Sequence, residues 1–449
     1  MAESRKDTRP CRVWILNHYA DTPDRPAGTR HYSLARAVVR HGGDVTVFAA
    51  SRLRWTGKDD RASGRILART QHFDGVRFVW LWTIPYYGNT WRRMANMLSY
   101  AVIVCVAQAG RPAPDVVVGS TVHPFAALAG WLIARLRGAR FIYEVRDLWP
   151  QTLIDLGAIA EGSLAARGLA MIEAFLVRRA ETVITLLPGM SAYLARHGLP
   201  AAHVRYLPNG VDLDVASSRS MGALGDARDD ASSLLDDLAR RRQRGEVVFA
   251  YVGSHGQVNR LDIVLSAHRI ASGRTRQPIA LYFIGDGPEK PGLEQLAVRL
   301  DVPNVVFAKP VPKNLVPAVL DAVDVGVVHA TSNAVYEYGV SFNKVFDYMA
   351  ACRPIAFACS TANDPVVAAG AGLSVAPDDP AALADAFVQF AESSPRERRR
   401  MGAAGRGFVE REHDMARIGD EFALIVGCHD ESRRSAAPAR TPASNASDT

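Results

Sequence analysis

The residues with the clearest chemical content lie in Asn343–Ala351, a stretch with the spacing of an amphipathic helix. Lys344 falls at the start of this helix, where the helix dipole makes a cation unfavourable by itself. An anion held between the lysine and the free backbone N–H groups would remove that penalty, as phosphates do at helix N-termini. Asp347 lies one turn deeper on the same face, and its carboxylate suits ribose hydroxyls. The pair predicts a nucleotide-diphosphate site, although the same spacing also suits a solvated Lys–Asp pair on a surface helix.

The elements around this helix form a strand–loop–helix–strand unit. The β-branched run Val325–His329 precedes it, and Ile355–Phe357 follows after Arg353-Pro354 ends the helix. The intervening loop contains Gly339 and Ser341. Ligands bind at the carboxyl ends of strands in open parallel sheets, so this loop is placed for binding.

Strand–helix alternation of this kind occurs twice along the chain. The strands predicted in the first half are Arg12–Leu16, Asp44–Ala49, Val76–Trp82, Val116–Gly119, Phe141–Glu144, Thr182–Leu187 and Val204–Leu207. Those predicted in the second half are Val247–Val252, Ile279–Ile284, Val305–Ala308, Val325–His329, Ile355–Phe357 and Leu373–Val375. The pattern predicts an α/β protein with two doubly wound, Rossmann-like domains that face a central cleft.

The length of 449 residues also favours two domains. We predict a flexible N-terminus at 1–10, a first domain at 11–210 and a linker at 211–245. A second domain follows at 246–410. A C-terminal helix at 411–428 is expected to cross back to the first domain, and 429–449 to be a disordered tail rich in Ser, Ala, Pro and Arg.

Composition narrows the class of protein. The net charge is +7, but the arginines form scattered short clusters without the interleaved aromatic residues of a nucleic-acid surface. The five cysteines show no CxxC spacing, so we expect reduced thiols in a cytosolic protein and no zinc site. The first residues lack the apolar core of a signal peptide. A soluble protein acting on an anionic small molecule fits these features.

Two glycine-rich turns follow the first two strands of the second half. Gly253–Gly256 and Gly285-Asp286-Gly287 could each let a diphosphate approach the backbone, although glycine is common in such turns. Arg260, near the first turn, could add positive charge to a phosphate site or simply be solvated.

Charged residues also end a buried strand of the first half. Glu144, Arg146 and Asp147 stand at the expected carboxyl edge of the sheet, where unpaired burial is costly. They suit a functional site or a structural Arg–Asp pair. His123, after another strand, could orient a substrate or handle a proton, or it could be a satisfied half-buried histidine.

The most apolar helix candidate is Trp91–Gly110. Its uninterrupted apolar run is far shorter than the roughly 20 residues that span a bilayer. The stretch suits a core helix, or a monotopic membrane contact in which Trp91, Arg92 and Arg93 meet anionic lipid.

Several longer motifs resemble, in the correct order, those of retaining nucleotide-sugar glycosyltransferases of the GT-B fold, family 4. The resemblance covers about Val13 to Val426. It is most similar to the bacterial surface-polysaccharide branch that contains L-fucosamine-type transferases of O-antigen and capsule synthesis. The motifs that carry it are Asn17–Ala35, Gly75–Asn89, Tyr143–Leu153, Leu207–Asp212, Phe283–Lys290 and Tyr336–Pro354.

This resemblance implies roles for single residues. Asp347 stands where a Glu usually binds the donor ribose, and Glu337 resembles the other acidic residue of the pair, at a spacing two residues longer than usual. It also implies that Gly28, Lys344 and the amides after Ser341 bind the donor diphosphate. Apart from the resemblance, we expect Gly253, Arg260, Gly287 and Asn343 to take part in donor binding. Those expected near the reacting sugar are Arg146, Asp147 and His123, with Arg146 standing where many relatives have His.

The sequence also departs from the family at the start of the second domain. The usual Arg and Lys after its first strand are absent, and Ser254 and Asn259 fall near those places. Arg260 and Lys344 are therefore expected to supply the charge.

The implied function is transfer of a hexosyl or N-acetylhexosaminyl group from a UDP-sugar to a glycan or lipid-linked acceptor, with retention and without a metal or other cofactor. The place of action is the cytoplasm, with possible contact to the inner face of the plasma membrane. Two alternatives remain open from the sequence: a sugar-nucleotide epimerase of the same fold, and a nucleotide-sugar-binding protein without turnover.

Overall fold

The structure is a computed structural model, and it describes residues 9–25, 28–52, 61, 66–86, 91–214 and 225–428. The predicted disordered tail and most of the predicted flexible N-terminus lie outside these residues. Among the helices in the described ranges, none is long and apolar enough to cross a membrane.

The first sheet has eight strands in the order β3-β4-β2-β1-β5-β6-β7-β8. The central strands are almost completely buried on both faces, as expected for strands covered by helices on both sides. The strands are β1 Arg12–Leu16, β2 Asp44–Ala50, β3 Ala68–Phe73, β4 Val76–Leu81, β5 Val116–Ser120, β6 Arg140–Val145, β7 Thr182–Thr185 and β8 Val204–Tyr206.

Strand β3 is the strand that we did not predict. It pairs antiparallel with β4 at the edge of the sheet, and its residues are mostly half-buried or exposed. Its sequence, ARTQHF, therefore lacks the apolar run by which the buried strands were recognised.

Helices cover both faces of the first sheet. Helix α1 lies on one face together with the C-terminal helix of the chain, and α2, α3 and α5 lie side by side on the other. The helices of this domain are α1 Arg30–Arg40, α2 Trp91–Ala107, α3 Pro124–Arg137, α4 Gln151–Asp155, α5 Leu164–Arg179 and α6 Met190–Arg196.

The second sheet has six strands, all paired parallel, in the order β11-β10-β9-β12-β13-β14. The strands are β9 Val247–Val252, β10 Ile279–Ile284, β11 Val305–Ala308, β12 Val325–His329, β13 Ile355–Ala358 and β14 Gly372–Val375. The helices are α7 Gly225–Gln243, α8 Leu261–Ser272, α9 Lys290–Arg299, α10 Val316–Asp321, α11 Asn343–Ala350, α12 Pro365–Ala369, α13 Pro380–Glu392, α14 Pro395–Glu412 and α15 Met415–Val426. The predicted α/β fold of two Rossmann-like domains is confirmed.

Helix α7 changes our view of the predicted linker, 211–245. Ala231, Leu234 and Leu238 are buried in the core of the second domain, beside residues such as Val248 and Tyr282. Most of the segment therefore folds as part of that domain. The polar surface of the helix, which carries several Asp and Arg residues, explains why the sequence resembled a linker.

The chain passes between the domains at two adjacent places. Val211 leaves the first domain and pairs with the segment at Asp414, where the chain returns. Helix α15 then packs on α1, and a Cβ at Gly419 would lie 2.5 Å from the Cβ of Ala37. The close approach of the two helices requires a glycine at this point.

The return of α15 also brings two cysteines together. Cys11, just before β1, and Cys428, just after α15, form a disulfide with their Cα atoms 5.5 Å apart. The prediction that all five cysteines are free thiols is wrong for this pair. The residues are separated by 417 positions, so only the packing of α15 beside β1 shows that they meet.

Candidate functional site

A cleft of about 1940 Å³ lies between the two domains. Loops at the carboxyl ends of both sheets line it, which is the edge where open parallel sheets bind ligands. Nine of the predicted site residues line the cleft: Gly28, Arg146, Asp147, Gly253, Gly287, Ser341, Asn343, Lys344 and Asp347. Three do not: His123, Arg260 and Glu337.

Lys344 lies in the first turn of α11 with its ammonium in the cleft wall. Its Nζ donates hydrogen bonds to Tyr251 Oη at 2.7 Å and Asn259 Oδ1 at 3.2 Å. It also lies 4.2 Å from the centre of the Tyr251 ring. Within the described part of the chain, no carboxylate forms an ion pair with it. Burial lowers the pKa of Lys344 to about 7, and a nearby anion would stabilise the protonated form of the lysine.

The two glycine-rich loops lie directly against each other beside Lys344. Gly253 has φ of +150°, and a Cβ there would lie 3.4 Å from Lys344 Cε. At Gly287 a Cβ would overlap the backbone of His255, whose N–H donates to Asp286 O at 2.9 Å. Glycine is therefore favoured at 253 by the positive φ and required at 287 by the packing of the loops, and both residues line the cleft.

The loop before α11 is held by the first domain. The backbone N–H of Asn209 donates to Ser341 Oγ at 2.9 Å, and Asn209 Nδ2 donates to Ser341 O at 2.7 Å. Since Ser341 Oγ already accepts a bond, its own hydrogen can be donated to a ligand. Asn343 lines the cleft as the first residue of α11. We did not predict Asn209 as a site residue, although it lies in the Pro208-Asn209-Gly210 turn.

Asp347 lies on the cleft side of α11, but its carboxylate is paired. Lys313 Nζ donates to Asp347 Oδ1 at 2.6 Å and to Oδ2 at 2.5 Å. Lys313 belongs to the short 3-10 helix Lys313–Leu315 after β11, and it also lines the cleft. No motif in the sequence indicated it.

Arg146 enters the cleft from the end of β6 in the first domain. Its backbone N–H donates to Thr121 Oγ1 at 2.9 Å, while its buried Nε has no hydrogen-bond partner among the described residues. Asp147 is exposed on the cleft rim and forms no ion pair with Arg146 within that part of the chain. The described residues therefore do not contain the structural pair between Arg146 and Asp147 that the sequence allowed, and the Arg146 side chain can reach a ligand in the cleft.

Glu144, at the same carboxyl edge of the first sheet, has a structural role. It accepts hydrogen bonds from Arg30 Nε at 2.9 Å and pairs with His31 Nε2 at 2.6 Å, all within the buried interior. His31 and Arg30 hold the pKa of Glu144 well below its ordinary value, despite its burial. Arg30 also donates to the carbonyl oxygens of Leu207 and Pro208, next to Asn209. The cluster thus fixes the segment that contacts Ser341.

Gly28 lies at the cleft just before α1, and a Cβ at this position would meet no atom within 4 Å. Packing against the described residues therefore does not require a glycine here. The space beside it is available to a ligand.

Two predicted residues have structural roles instead. Arg260 pairs with Asp262 at 2.9 Å and with Asp378 at 3.7 Å, and it does not line the cleft. His123 is fully buried: its Nδ1 caps α3 by accepting from Ala126 N, and its Nε2 contacts His18 Nδ1 at 2.8 Å. Burial lowers the pKa of His123 to about 3, so the imidazole stays neutral.

Glu337 is also outside the cleft. It lies in the 3-10 helix Ala334–Tyr338 and pairs with Arg196 of the first domain at 3.0 Å, with both side chains exposed. Nearby, Gly189 N donates to Tyr338 O at 2.9 Å. Glu337 therefore lies at the contact between the two domains, outside the residues that line the cleft.

The described residues contain no group of three or more His, Cys, Asp or Glu side chains that could hold a metal ion. Positively charged side chains that line the cleft include Arg146, Lys290, Lys313 and Lys344.

The two domains match two known domain families. Residues 27–210 match a glycosyl transferase 4-like domain, and residues 246–393 match the glycosyl transferases group 1 domain. Together with the two facing Rossmann-like domains, these matches show that the chain belongs to the glycosyltransferases of the GT-B type.

Individual relatives are distant. The putative colanic acid biosynthesis glycosyl transferase WcaI of Escherichia coli strain K12 is 24% identical over 267 residues, a match that covers 58% of this chain and 62% of WcaI. Sucrose-phosphate synthase from Thermosynechococcus elongatus superposes with a TM-score of 0.69 at 18% identity, covering 92% of this chain and 98% of that one.

Two further solved structures share the fold over nearly the whole chain. Anabaena HepE, in complex with UDP and glucose, gives a TM-score of 0.63 at 14% identity and covers 93% of this chain and 99% of its own. WaaG, a glycosyltransferase involved in lipopolysaccharide biosynthesis, gives 0.62 at 18% identity, with 92% and 99% covered. These similarities establish the fold.

Proposed function

We propose that the protein transfers a sugar from a UDP-sugar donor to a glycan or lipid-linked acceptor, with retention of configuration, in the synthesis of a cell-surface polysaccharide. The domain families support the reaction class, and the UDP complex of HepE supports the donor class. The names of WcaI and WaaG support the polysaccharide context.

The observation that carries the proposal is Lys344 at the start of α11. A half-buried ammonium with no carboxylate partner in the described chain is costly, and its lowered pKa reflects that cost. A diphosphate bound against the ammonium and the free N–H groups of α11 would relieve the cost. Asp347, one turn further along α11, then faces the nucleoside end.

This arrangement can stabilise a departing nucleoside diphosphate. As the bond from the sugar to the diphosphate breaks, negative charge grows on the leaving oxygen. Lys344, the Ser341 hydroxyl and the first N–H groups of α11 are fixed donors for that charge, which is the contribution that usually dominates such catalysis. We propose that no metal is needed and that a donor phosphate oxygen accepts the acceptor's proton.

A thermal-shift panel of nucleotide sugars tests donor binding. A ligand at 100 times its dissociation constant stabilises a protein by about 2.7 kcal/mol, and UDP-sugars should give the largest shift. An assay of UDP release with candidate acceptors then separates the reaction classes. A transferase releases UDP only with acceptor present, an epimerase converts the donor alone, and a binding protein does neither. No shift with any nucleotide sugar would refute the proposal.

We also propose that the first domain lies against an anionic membrane. Helices α2, α3 and α5 are adjacent, and apolar side chains at least 40% exposed run along them: Trp91, Met94, Leu98, Val102, Val106, Leu132, Leu136, Leu164 and Met171. The same helices carry seven arginines and a single acidic residue, Glu173, which is buried. Apolar side chains interspersed with cations are typical of surfaces that bind anionic lipid. Trp91 and Met94 also line the cleft, so a lipid-linked acceptor could enter from this face.

Flotation with vesicles tests this contact. Wild type should float with vesicles that contain phosphatidylglycerol and much less with phosphatidylcholine alone. A Val102→Asp, Leu136→Asp variant should lose flotation, whereas Val298→Asp, at an exposed apolar position of the second domain, should not. Failure of wild type to float at low salt would refute the membrane contact and leave the transferase proposal standing.

A further inference from the structure

The carboxylate assigned to the donor ribose has a lysine partner from another element. Both oxygens of Asp347 accept hydrogen bonds from Lys313 Nζ, at 2.6 and 2.5 Å. The two side chains line the cleft and are 26% and 15% exposed, so the pair is largely shielded from water. Shielding makes the attraction stronger than that of a surface ion pair.

The geometry leaves the carboxylate able to bind a diol. An ionised carboxylate has about four acceptor positions on its two oxygens. Lys313 uses one on each oxygen, so one on each remains for two neighbouring hydroxyl groups. The terminal torsion of Asp is soft, and without Lys313 the plane of the carboxylate would be free to turn.

The same short helix is attached to the first domain. Lys313 N donates to Arg25 O at 3.2 Å, and Asn314 N donates to Pro23 O at 3.3 Å. Pro23 lines the cleft in the loop that leads to Gly28. The position of the Lys313 ammonium is therefore set by both domains.

We infer that Lys313 is a donor-positioning residue that orients Asp347 for the two hydroxyls of the donor ribose. This inference rests on the proposed function, because it requires that a nucleotide occupy the cleft. Preference for a ribonucleotide over its 2′-deoxy form would then depend on the Lys313–Asp347 pair and not on Asp347 alone.

Calorimetry with UDP, GDP and ADP, followed by the 2′-deoxy form of the tightest binder, tests the inference. We expect wild type to prefer the ribonucleotide by about tenfold, the effect of one good hydrogen bond. Lys313→Met should reduce that preference to less than threefold, and Lys313→Arg should restore it because Arg can hold both oxygens. The matched control is Lys309→Met. Lys309 lies on the same connection after β11 as Lys313, but it is exposed and pairs with Asp230 of α7.

The double variant Lys313→Met, Asp347→Asn adds a test of coupling. If the lysine acts through the acid, the double variant should bind the ribonucleotide about as weakly as Asp347→Asn alone. An unchanged preference for the ribonucleotide in Lys313→Met, with folding retained, would overturn the inference while leaving the proposed function intact. Lack of binding of all three nucleotides by wild type would overturn both.

Discussion

Replacement of Lys344 by Met should make the protein more stable and less active. In the unliganded protein, burial lowers the pKa of Lys344 to about 7 from an ordinary value of 10.5. Folding therefore costs free energy below pH 7, where the group is protonated in both states. The full shift corresponds to a cost on the order of 5 kcal/mol. Met keeps the apolar stem and removes the charge.

The expected gain in stability is smaller than that cost. Met loses the bonds to Tyr251 Oη and Asn259 Oδ1, which together contribute about 1–2 kcal/mol. A net gain of about 3 kcal/mol remains, which should raise Tm by about 6–12 °C for a domain of this size. Thermal unfolding of the unliganded variant at pH 6.5 measures it.

The effect on turnover should be opposite and larger. Charge on the leaving diphosphate increases toward the transition state, so the bond to Lys344 strengthens along the reaction. By analogy with loss of one oxyanion donor, kcat should fall about 10²–10³-fold. Asp347→Asn provides the contrast: a ribose contact does not change during bond breaking, so KM for the donor should rise with little change in kcat. Turnover of Lys344→Met within threefold of wild type would refute the assignment, and so would a drop in Tm.

Four further predictions concern the same site. Donor affinity should fall as pH rises above 7, by a factor that approaches tenfold per pH unit. The reason is that the bound diphosphate raises the pKa of Lys344, so binding takes up a proton. Calorimetry from pH 7.5 to 9 should show this dependence in wild type and not in Lys344→Met. Over the same range the contribution of Lys344 to the free energy of unfolding should increase with pH, since the unfolded chain binds the proton more tightly. Transfer should persist in excess EDTA, and loss of activity that Mn²⁺ or Mg²⁺ restores would contradict the metal-independent proposal. Asn209→Ala should lower kcat/KM about tenfold by releasing Ser341, with the folded state retained in circular dichroism; unchanged kinetics would show that the contact only joins the domains.

Much of the architecture could be predicted from the sequence, because buried parallel strands are continuous apolar runs that stand out from their surroundings. The C-terminal helix expected within 411–428 is α15, Met415–Val426. Strand β3 and helix α7 were harder, since an edge strand and a helix with a polar surface carry weaker patterns.

The sequence also determined the local part of the site. Lys344 and Asp347 lie on one helix, so their common face follows from helical spacing alone. Glycines after β9 and β10 and the charged end of β6 follow from the same logic, because each lies next to its own strand. Short-range geometry decides such positions before any tertiary contact forms.

Only the tertiary structure decided which distant residues meet. Lys313 reaches Asp347, and Asn209 reaches Ser341, because separate loops converge at the cleft. Arg260 and Glu337 were excluded for the converse reason: each finds an oppositely charged partner outside the cleft. Local sequence indicates that a charge stands at a strand end or in a loop, but its partner comes from another element, and the packing of the two domains determines whether that charge remains available to a ligand.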